Sequence, residues 1–339
     1  MTGALAFVFI CSALSSAGLI WLLKPLWRQY ALAKPNARSS HKTPTPQGGG
    51  IVVVAVTIGV VGLATALMPS AAGEPRRLAM VFAAAVALAV IGAFDDVRAL
   101  AAAPRLLFQT AAVVVVIAAL PPDLRVVPAF PWWIERALIL LGGVWFVNLT
   151  NFMDGIDWMT VAEVVPLTVA LTLFGLIGAL PAQATLVALA LCGATVGFAP
   201  FNRPVAVLFL GDVGSLPLGL LMGWLLTLLA GDGHLAAALL LPLYYLADAT
   251  VTLLRRLAKG EPIMQAHRTH FYQRAMDGGF SVRQIVACVF LVNVILAALA
   301  AATLFNARPV LHAAALLAGC GLVAWLLFVF ARGKKRSSM

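Results

Sequence analysis

Eleven mostly apolar runs with at most two charged residues each, nearly all close to the length that crosses a bilayer, leave this chain little choice but a bundle of transmembrane helices. A hydrocarbon layer takes about 20 helical residues to cross. Inside it each backbone N–H and C=O must find a partner within the protein, which selects helices. The runs extend approximately over Gly3–Leu23, Gly48–Met68, Leu78–Phe94, Leu106–Leu120, Ile134–Val147, Val161–Leu180, Ala182–Ala199, Val213–Ala230, Leu235–Leu254, Ile285–Phe305 and Val310–Phe330. The fifth is short and the seventh begins almost where the sixth ends, so ten spans is the alternative count. With 62% hydrophobic and 11% charged residues, the chain cannot give a soluble globule a polar skin. The expected fold class is all-α, one polytopic membrane domain over residues 1–339 with a basic tail at 332–339.

Charge sets the expected orientation. No basic residue precedes the first run, while Lys24, Arg28, Lys34, Arg38 and Lys42 follow it. That pattern reads as an uncleaved first span with its N-terminus outside. Alternating from there places residues 24–47, 95–105, 148–160, 200–212, 255–284 and the tail in the cytoplasm. Of 23 Lys and Arg, only Arg76, Arg77, Arg125, Arg136 and Arg308 then lie outside, leaving 18 inside. This is the positive-inside asymmetry. It also accounts for most of the +10 net charge, together with anionic lipid heads, so no nucleic-acid partner is implied. Cys11, Cys192, Cys288 and Cys320 sit singly in apolar runs, which argues against disulfides and a zinc site.

The acids follow a different logic. Nine of the 13 carboxylates lie on or near the expected cytoplasmic side: Asp95, Asp96, Asp154, Asp157, Glu163, Asp212, Asp248, Glu261 and Asp277. Ionised groups beside hydrocarbon are costly and usually functional, so this clustering calls for cations or phosphate-bearing ligands. Asp95-Asp96 closes the third run, where acids oppose the helix macrodipole. Adjacent helical residues point about 100° apart, so the two carboxylates are expected to face different partners. From Asn148 through Asn151 and Asp154 to Asp157, a polar residue recurs at every third position. An α-helix would spread the four over half its circumference, whereas a break, permitted by Gly155, would gather them. Two amides and two carboxylates suit a base, a ribose or a hydrated metal.

Asn202 precedes Gly211-Asp212-Val213-Gly214-Ser215, a carboxylate between glycines at the mouth of a span. Beside the other acids it points to a hard cation, and Mg²⁺ held by a few carboxylates plus substrate phosphates fits better than Zn²⁺ or Ca²⁺. The last large loop supplies positive groups: Arg255-Arg256, Lys259, and His267-Arg268-Thr269-His270. Arg268 is suited to fork onto phosphate oxygens.

Taken together, these motifs resemble the polyprenyl-phosphate N-acetylhexosamine-1-phosphate transferase family of bacterial glycosyltransferases. The likeness runs from about Arg38 to Arg274. Arg38-Ser39-Ser40-His41 with Thr45-Pro46-Gln47-Gly48-Gly49 is similar to the family's first cytoplasmic loop, Asp95-Asp96 to its aspartate pair, and Asn148 to Asp157 to its NxxNxxDGxD motif. Asn202 and Gly211 to Ser215 match its FN and GDxGS elements, and Asp248, Arg255-Arg256, Gly260 and Arg268-Thr269-His270 follow in the family's order. Two departures stand out. Trp158-Met159 replaces the usual Gly-Leu after DGxD, and the last loop lacks the clustered histidines of DRxHxHH. The second resembles the branch that initiates surface polysaccharides such as O-antigen rather than the peptidoglycan-precursor enzymes.

The resemblance implies transfer of an N-acetylhexosamine 1-phosphate from a UDP-sugar to undecaprenyl phosphate at the cytoplasmic face of the bacterial inner membrane, releasing UMP. It implies Mg²⁺, with Mn²⁺ as the alternative ion, on Asp212 with Asp95 and Asp96. Asp95, Asp96, Asp212 and His270 are the expected catalytic residues. Lys42, Asn148, Asn151, Asp154, Asp157, Asn202, His267 and Arg268 are the expected substrate contacts. Membrane lipid is the surrounding partner, and the oligomeric state, a homodimer included, is left open. A transporter of an anionic solute is the alternative from another class, but transporters place polar groups at the midplane between repeated halves. A catalytically silent assembly scaffold is the third reading, hinted at by Trp158 and the reduced histidine set.

Overall fold

The computed structural model describes residues 2–30, 32–33, 45–68, 73–262, 267–306 and 308–333. Lys42, with Arg38 to His41 and the tail residues Lys334, Lys335 and Arg336, lies outside the described residues. The helices in chain order are α1 (Thr2–Tyr30), α2 (Gly49–Leu67), α3 (Pro75–Val97), α4 (Ala102–Ala119), α5 (Trp132–Met153), α6 (Met159–Leu176) and α7 (Ala182–Phe198). They continue with α8 (Asp212–Leu229), α9 (Leu235–Leu240), α10 (Leu243–Ala258), α11 (Phe271–Asp277), α12 (Val282–Leu304) and α13 (Pro309–Arg332). Two short strands, β1 (Leu32–Ala33) and β2 (Thr45–Pro46), pair antiparallel between α1 and α2.

Among the described residues, nine helical stretches are long and apolar enough to cross a membrane. One is the 29-residue stretch Asp212–Leu240. A straight helix of that length would run about 43 Å, well beyond a hydrocarbon layer of about 30 Å. The backbone leaves helical geometry at Gly233 (φ 91°, ψ 3°), so α8 ends there and α9 starts anew. Asp232 and Gly233 are exposed at this turn. Leu241-Pro242 separates α9 from α10, and the two together form the returning segment. With the 17-residue α7, eleven segments match the eleven runs.

The fifth segment is longer than its apolar run. Glu135 and Arg136, near the start of that run, are buried inside α5: Arg125 Nε donates to Glu135 at 2.6 Å and Arg136 Nη2 donates to the Leu124 carbonyl at 2.8 Å. At the other end α5 continues through Asn148 to Met153, because the Asn148 amide donates to Gln109 on α4 and to Val144 within the helix. Trp132 and Trp133 stay exposed at the start of α5, the position of interfacial aromatic anchors.

The core is centred on α8, packed by α2, α3 and α5, while α7 packs on α1, α2 and α6. Close backbone approach makes this centre. A methyl group on Gly50 of α2 would lie 2.2 Å from Gly214 Cα of α8, and one on Gly92 of α3 would lie 2.3 Å from the Asp212 carbonyl oxygen. Where α2 starts, Gly48 N and Gly49 N donate to the Phe209 carbonyl and Gly50 N to the Leu210 carbonyl. The starts of α2 and α8 and the end of α3 therefore meet at one mouth of the bundle.

Candidate active site

At that mouth, Asp96 receives the Asp212 N–H on Oδ1 (2.9 Å) and the Val213 N–H on Oδ2 (3.1 Å). A carboxylate at the end of α3 thus caps the first turn of α8, where orphan N–H groups and the helix dipole favour negative charge. Gln47 fastens the same corner by donating to the Asp96 carbonyl at 3.1 Å. Asp95 points elsewhere, as its position one residue earlier requires. It accepts from Leu100 N at 2.6 Å and pairs with Arg105 Nη1 at 3.0 Å, closing the α3–α4 turn. Asp95 also comes within hydrogen-bonding reach of the Asp212 carboxyl.

Asn151, on the last turn of α5, donates to Asp212 Oδ1 at 2.7 Å and to Ser215 Oγ at 2.9 Å. The four polar residues spaced by three are not stacked. Asn148 and Asn151 ride on α5, Asp154 follows its end, and Asp157 lies in the turn before α6. Asp154 accepts the Thr160 hydroxyl. Burial pushes the Asp154 carboxyl up to about 7; the Thr160 bond opposes this, and the charges of Asp96 and Asp157 add to it. Asn148 is drawn into the α4–α5 contact and away from Asp212.

Asp157 and Asn202 tie the turn before α6 to the segment before α8. Asp157 Oδ2 accepts from Ala206 N at 2.9 Å. Asn202 accepts from Trp158 N at 2.8 Å and donates to the Leu208 carbonyl at 3.0 Å. Trp158 itself has φ 63°, a left-handed conformation that explains why glycine suits this position. Here the indole supplies compensation, Nε1 donating to the Ala199 carbonyl at 2.6 Å.

The last loop is organised by Asp248, which sequence reasoning noted without a role. Fully buried on α10, it accepts from Tyr244 Oη (3.1 Å), Thr252 Oγ1 (3.3 Å), Phe271 N (3.0 Å) and Tyr272 N (3.2 Å). His270 Nδ1 completes the set at 3.3 Å, which fixes the imidazole with Nε2 as its remaining ring nitrogen. His270 stacks between His267 (centroids 4.9 Å apart) and Tyr272 (5.7 Å), and lies 6.3 Å from the Phe152 ring beside Asn151. Tyr272 Oη donates to the Phe152 carbonyl at 3.1 Å, and a methyl group on Gly155 would lie 2.0 Å from that hydroxyl. Burial holds the Tyr272 phenol well above its ordinary pKa, so it remains a donor. Arg268 Nη2 pairs with Asp277 at 3.3 Å.

The structure thus gathers Asp95, Asp96, Asn151, Asp154 and Asp212 in one cluster and sets His270, at the start of α11, beside it against Phe152 of α5. Asn148, Asp157 and Asn202 are occupied in holding elements together. Tyr272 and Thr160 contribute without having been singled out, and Ser215 and Gln47 stood in the sequence only as motif members without a role; the neighbouring glycines, Gly155 and Gly48 to Gly50, signalled the close contacts. Among the described residues no three His, Cys, Asp or Glu side chains form a ready-made metal cage. The donor set nevertheless fits Mg²⁺. Asp95 and Asp212 approach each other as like charges with Asp96 nearby, and this ion keeps several waters and takes its other ligands from substrate phosphates.

This helix bundle with an aspartate-lined mouth defines a class of membrane enzyme scaffold, and comparison with known proteins places it. The family model for glycosyl transferase family 4 matches residues 78–230. A probable undecaprenyl-phosphate N-acetylglucosaminyl 1-phosphate transferase of Bacillus subtilis (strain 168) is 26% identical, covering 78% of this chain and 75% of that one. The decaprenyl-phosphate N-acetylglucosaminephosphotransferase of Mycobacterium tuberculosis (strain ATCC 25618 / H37Rv) is 29% identical over 87% and 80%. A phospho-N-acetylmuramoyl-pentapeptide-transferase of Synechococcus sp. (strain JA-3-3Ab) is 30% identical over 84% and 88%. The chain belongs to glycosyl transferase family 4, the polyprenyl-phosphate hexosamine-1-phosphate transferases.

Proposed function

We propose that this protein transfers an N-acetylhexosamine 1-phosphate from a UDP-sugar to undecaprenyl phosphate, releasing UMP and starting a lipid-linked surface polysaccharide such as O-antigen. The observation that carries the reading is the cluster of Asp95, Asp96, Asp154 and Asp212 at one mouth of an apolar bundle, with His270 beside it. A soluble nucleotide and a membrane-borne phosphate meet naturally at such a mouth, the prenyl tail lying along apolar helices.

In this reaction an oxygen of the lipid phosphate bonds to the sugar-bearing phosphorus, and the bond from that phosphorus to UMP breaks. Asp212, with Asp95 and Asp96 beside it, would hold Mg²⁺, which when bound supplies charge neutralisation to the diphosphate. Asn151 fixes the Asp212 carboxyl through its amide. Asp96 holds the start of α8 in place, and Asp95 holds the α3–α4 turn. Both are engaged by donors, and a phosphate monoester with a second pKa of about 6 is already mostly dianionic at neutral pH. Their contribution is therefore placement and fixed charge more than proton removal. His270, oriented by Asp248, and Arg268 offer donors to phosphate oxygens. Asp154 and His267 line the nucleotide side, while Asp157 and Asn202 shape it from behind. The positive-inside charge pattern supports a cytoplasmic site and an inner-membrane location.

Purified Asp212→Ala and Asp95→Asn variants, assayed for Mg²⁺-dependent UMP release with undecaprenyl phosphate, are expected to lose about 100-fold or more in turnover. Unimpaired turnover in both would overturn the assignment. Incubating membranes with a panel of radiolabelled UDP-N-acetylhexosamines then identifies the sugar. The similarity to the Synechococcus relative makes UDP-N-acetylmuramoyl-pentapeptide the second substrate to include.

A further inference from the structure

Beyond the carboxylate cluster, the end of α10 and the start of α11 border an open-sided cavity of about 200 Å³ lined by Thr252, Arg255, Arg256, Lys259, Glu261, Thr269 and Arg274. At about 30 Å³ per water this is room for about six waters, ample for a phosphate group. Four cations and one carboxylate face the space. None of the lining side chains is bonded to Asp95, Asp96, Asp154 or Asp212, so the cavity is not part of the acidic cluster.

The cations are held rather than merely crowded. The Phe271 ring lies under two of them, with the Arg255 guanidinium 5.1 Å and the Arg274 guanidinium 5.7 Å from its centroid. Arg256 is only 8% exposed. It pairs with Glu261 at 3.1 Å and donates to the Pro262 carbonyl at 2.8 Å, yet its buried Nε has no hydrogen-bond partner among the described residues. Arg274 Nη1 is buried and likewise has no partner among the described residues. A buried charged donor left unpaired is expensive, and each specific case in a folded protein asks for an explanation. The negative C-terminal end of α10 accounts for a preference for cations in its last turn. It does not account for Arg274, which comes from α11, or for the open space that the guanidiniums surround.

We infer that this cavity is a second anion site, one that binds a phosphate group independently of the carboxylate cluster. Three cations in excess of Glu261's pairing with Arg256, and two guanidinium donors without a partner among the described residues, form a set complementary to a tetrahedral oxyanion. The phosphate has two chemical sources, the headgroup of an anionic lipid or a free phosphate compound.

Isothermal titration calorimetry on the detergent-purified full chain tests this in EDTA, which removes any metal contribution from the acidic cluster. The probes are inorganic phosphate and a short-chain phosphatidic acid. At least one is expected to bind saturably, with affinity reduced at least tenfold by Arg256→Gln. Arg256 also holds the turn at Pro262, so the double variant Arg255→Gln/Arg274→Gln, which leaves those bonds in place, is measured alongside and is expected to show the same loss. Asp212→Ala is expected to keep the binding. This separates the site from the transferase reading: failure of transfer leaves the phosphate affinity standing, and the reverse. Tighter binding of phosphatidic acid assigns a lipid headgroup, and tighter binding of inorganic phosphate assigns a soluble source. Absence of saturable binding by either probe, retained affinity in the double variant, or a loss in Asp212→Ala equal to that in the arginine variants overturns the inference.

Discussion

Asp154 is the carboxyl at which burial and charge meet most plainly. Its pKa of about 7 in the folded chain lies above the ordinary carboxylate value, so the ionised form is disfavoured by folding. The linkage has a definite sign. The stabilisation is complete below about pH 4, the unfolded value, and is lost as pH rises through the folded value of about 7. Asp154→Asn carries no such loss. The melting temperature of that variant minus that of the parent, measured in EDTA, is therefore expected to become more positive from about pH 5 to about pH 8. A constant difference would show that Asp154 titrates normally. Trp158 gives the opposite lesson about reading residues. It stands in a position the family gives to glycine, and φ 63° and the Nε1 bond to Ala199 give it a structural account. Left-handed strain of about 1–2 kcal/mol is set against one hydrogen bond of about 1 kcal/mol plus the packing of a half-buried indole. No local pattern announces such a trade, because the acceptor lies 41 residues away.

Helix contacts decide whether the acids become a site. The Asp96 cap on α8 exists only because Gly92 lets α3 approach the Asp212 backbone and because Gly50 and Gly214 let α2 and α8 touch. Ala at position 50 would force two backbones apart, an overpacking cost of about 1–3 kcal/mol. At Gly59, on the same helix, an added methyl meets nothing within 4 Å and Ala gains helix propensity of up to about 1 kcal/mol. Gly50→Ala is thus expected to lower both melting temperature and transfer activity in detergent, with Gly59→Ala neutral or stabilising; equal behaviour of the two would refute close packing at the mouth. The sequence made the candidate acids visible because a carboxylate beside hydrocarbon is conspicuous. It hid their division of labour, since the donors to Asp96 come from residues 212 and 213 and those to Asp248 include residues 270 to 272. Segment limits differ for the same reason: the apolar run stops at Val147, whereas α5 continues through Asn148 to Met153 and tertiary partners hold Asn148, Glu135 and Arg136 within it.

At the scale of the whole molecule, the helix ends alternate between two faces. The α3–α4 turn, the end of α5, the start of α8 and the α10–α11 region share the face that carries the acids, while the Asp232-Gly233 turn between α8 and α9 lies at the other end of α8. Eleven segments make an odd number of crossings, and the proposed cytoplasmic orientation would place 18 of the 23 basic residues on the side of the acids. A membrane potential and an anionic leaflet act on this kind of charge asymmetry. Single cysteines introduced at exposed Asp232 and at exposed Ala99, after Cys11, Cys192, Cys288 and Cys320 are changed to serine, give the decisive comparison. In intact cells a membrane-impermeant maleimide is expected to label Asp232→Cys readily, and Ala99→Cys only after the membrane is opened. The reverse pattern would put the acidic mouth outside, away from any cytoplasmic nucleotide-sugar, and would remove the physical basis for the transfer reaction. Labelling of both positions from one side would instead mean that α3–α4 and α8–α9 turn on the same face, breaking the alternation on which the eleven-segment bundle rests.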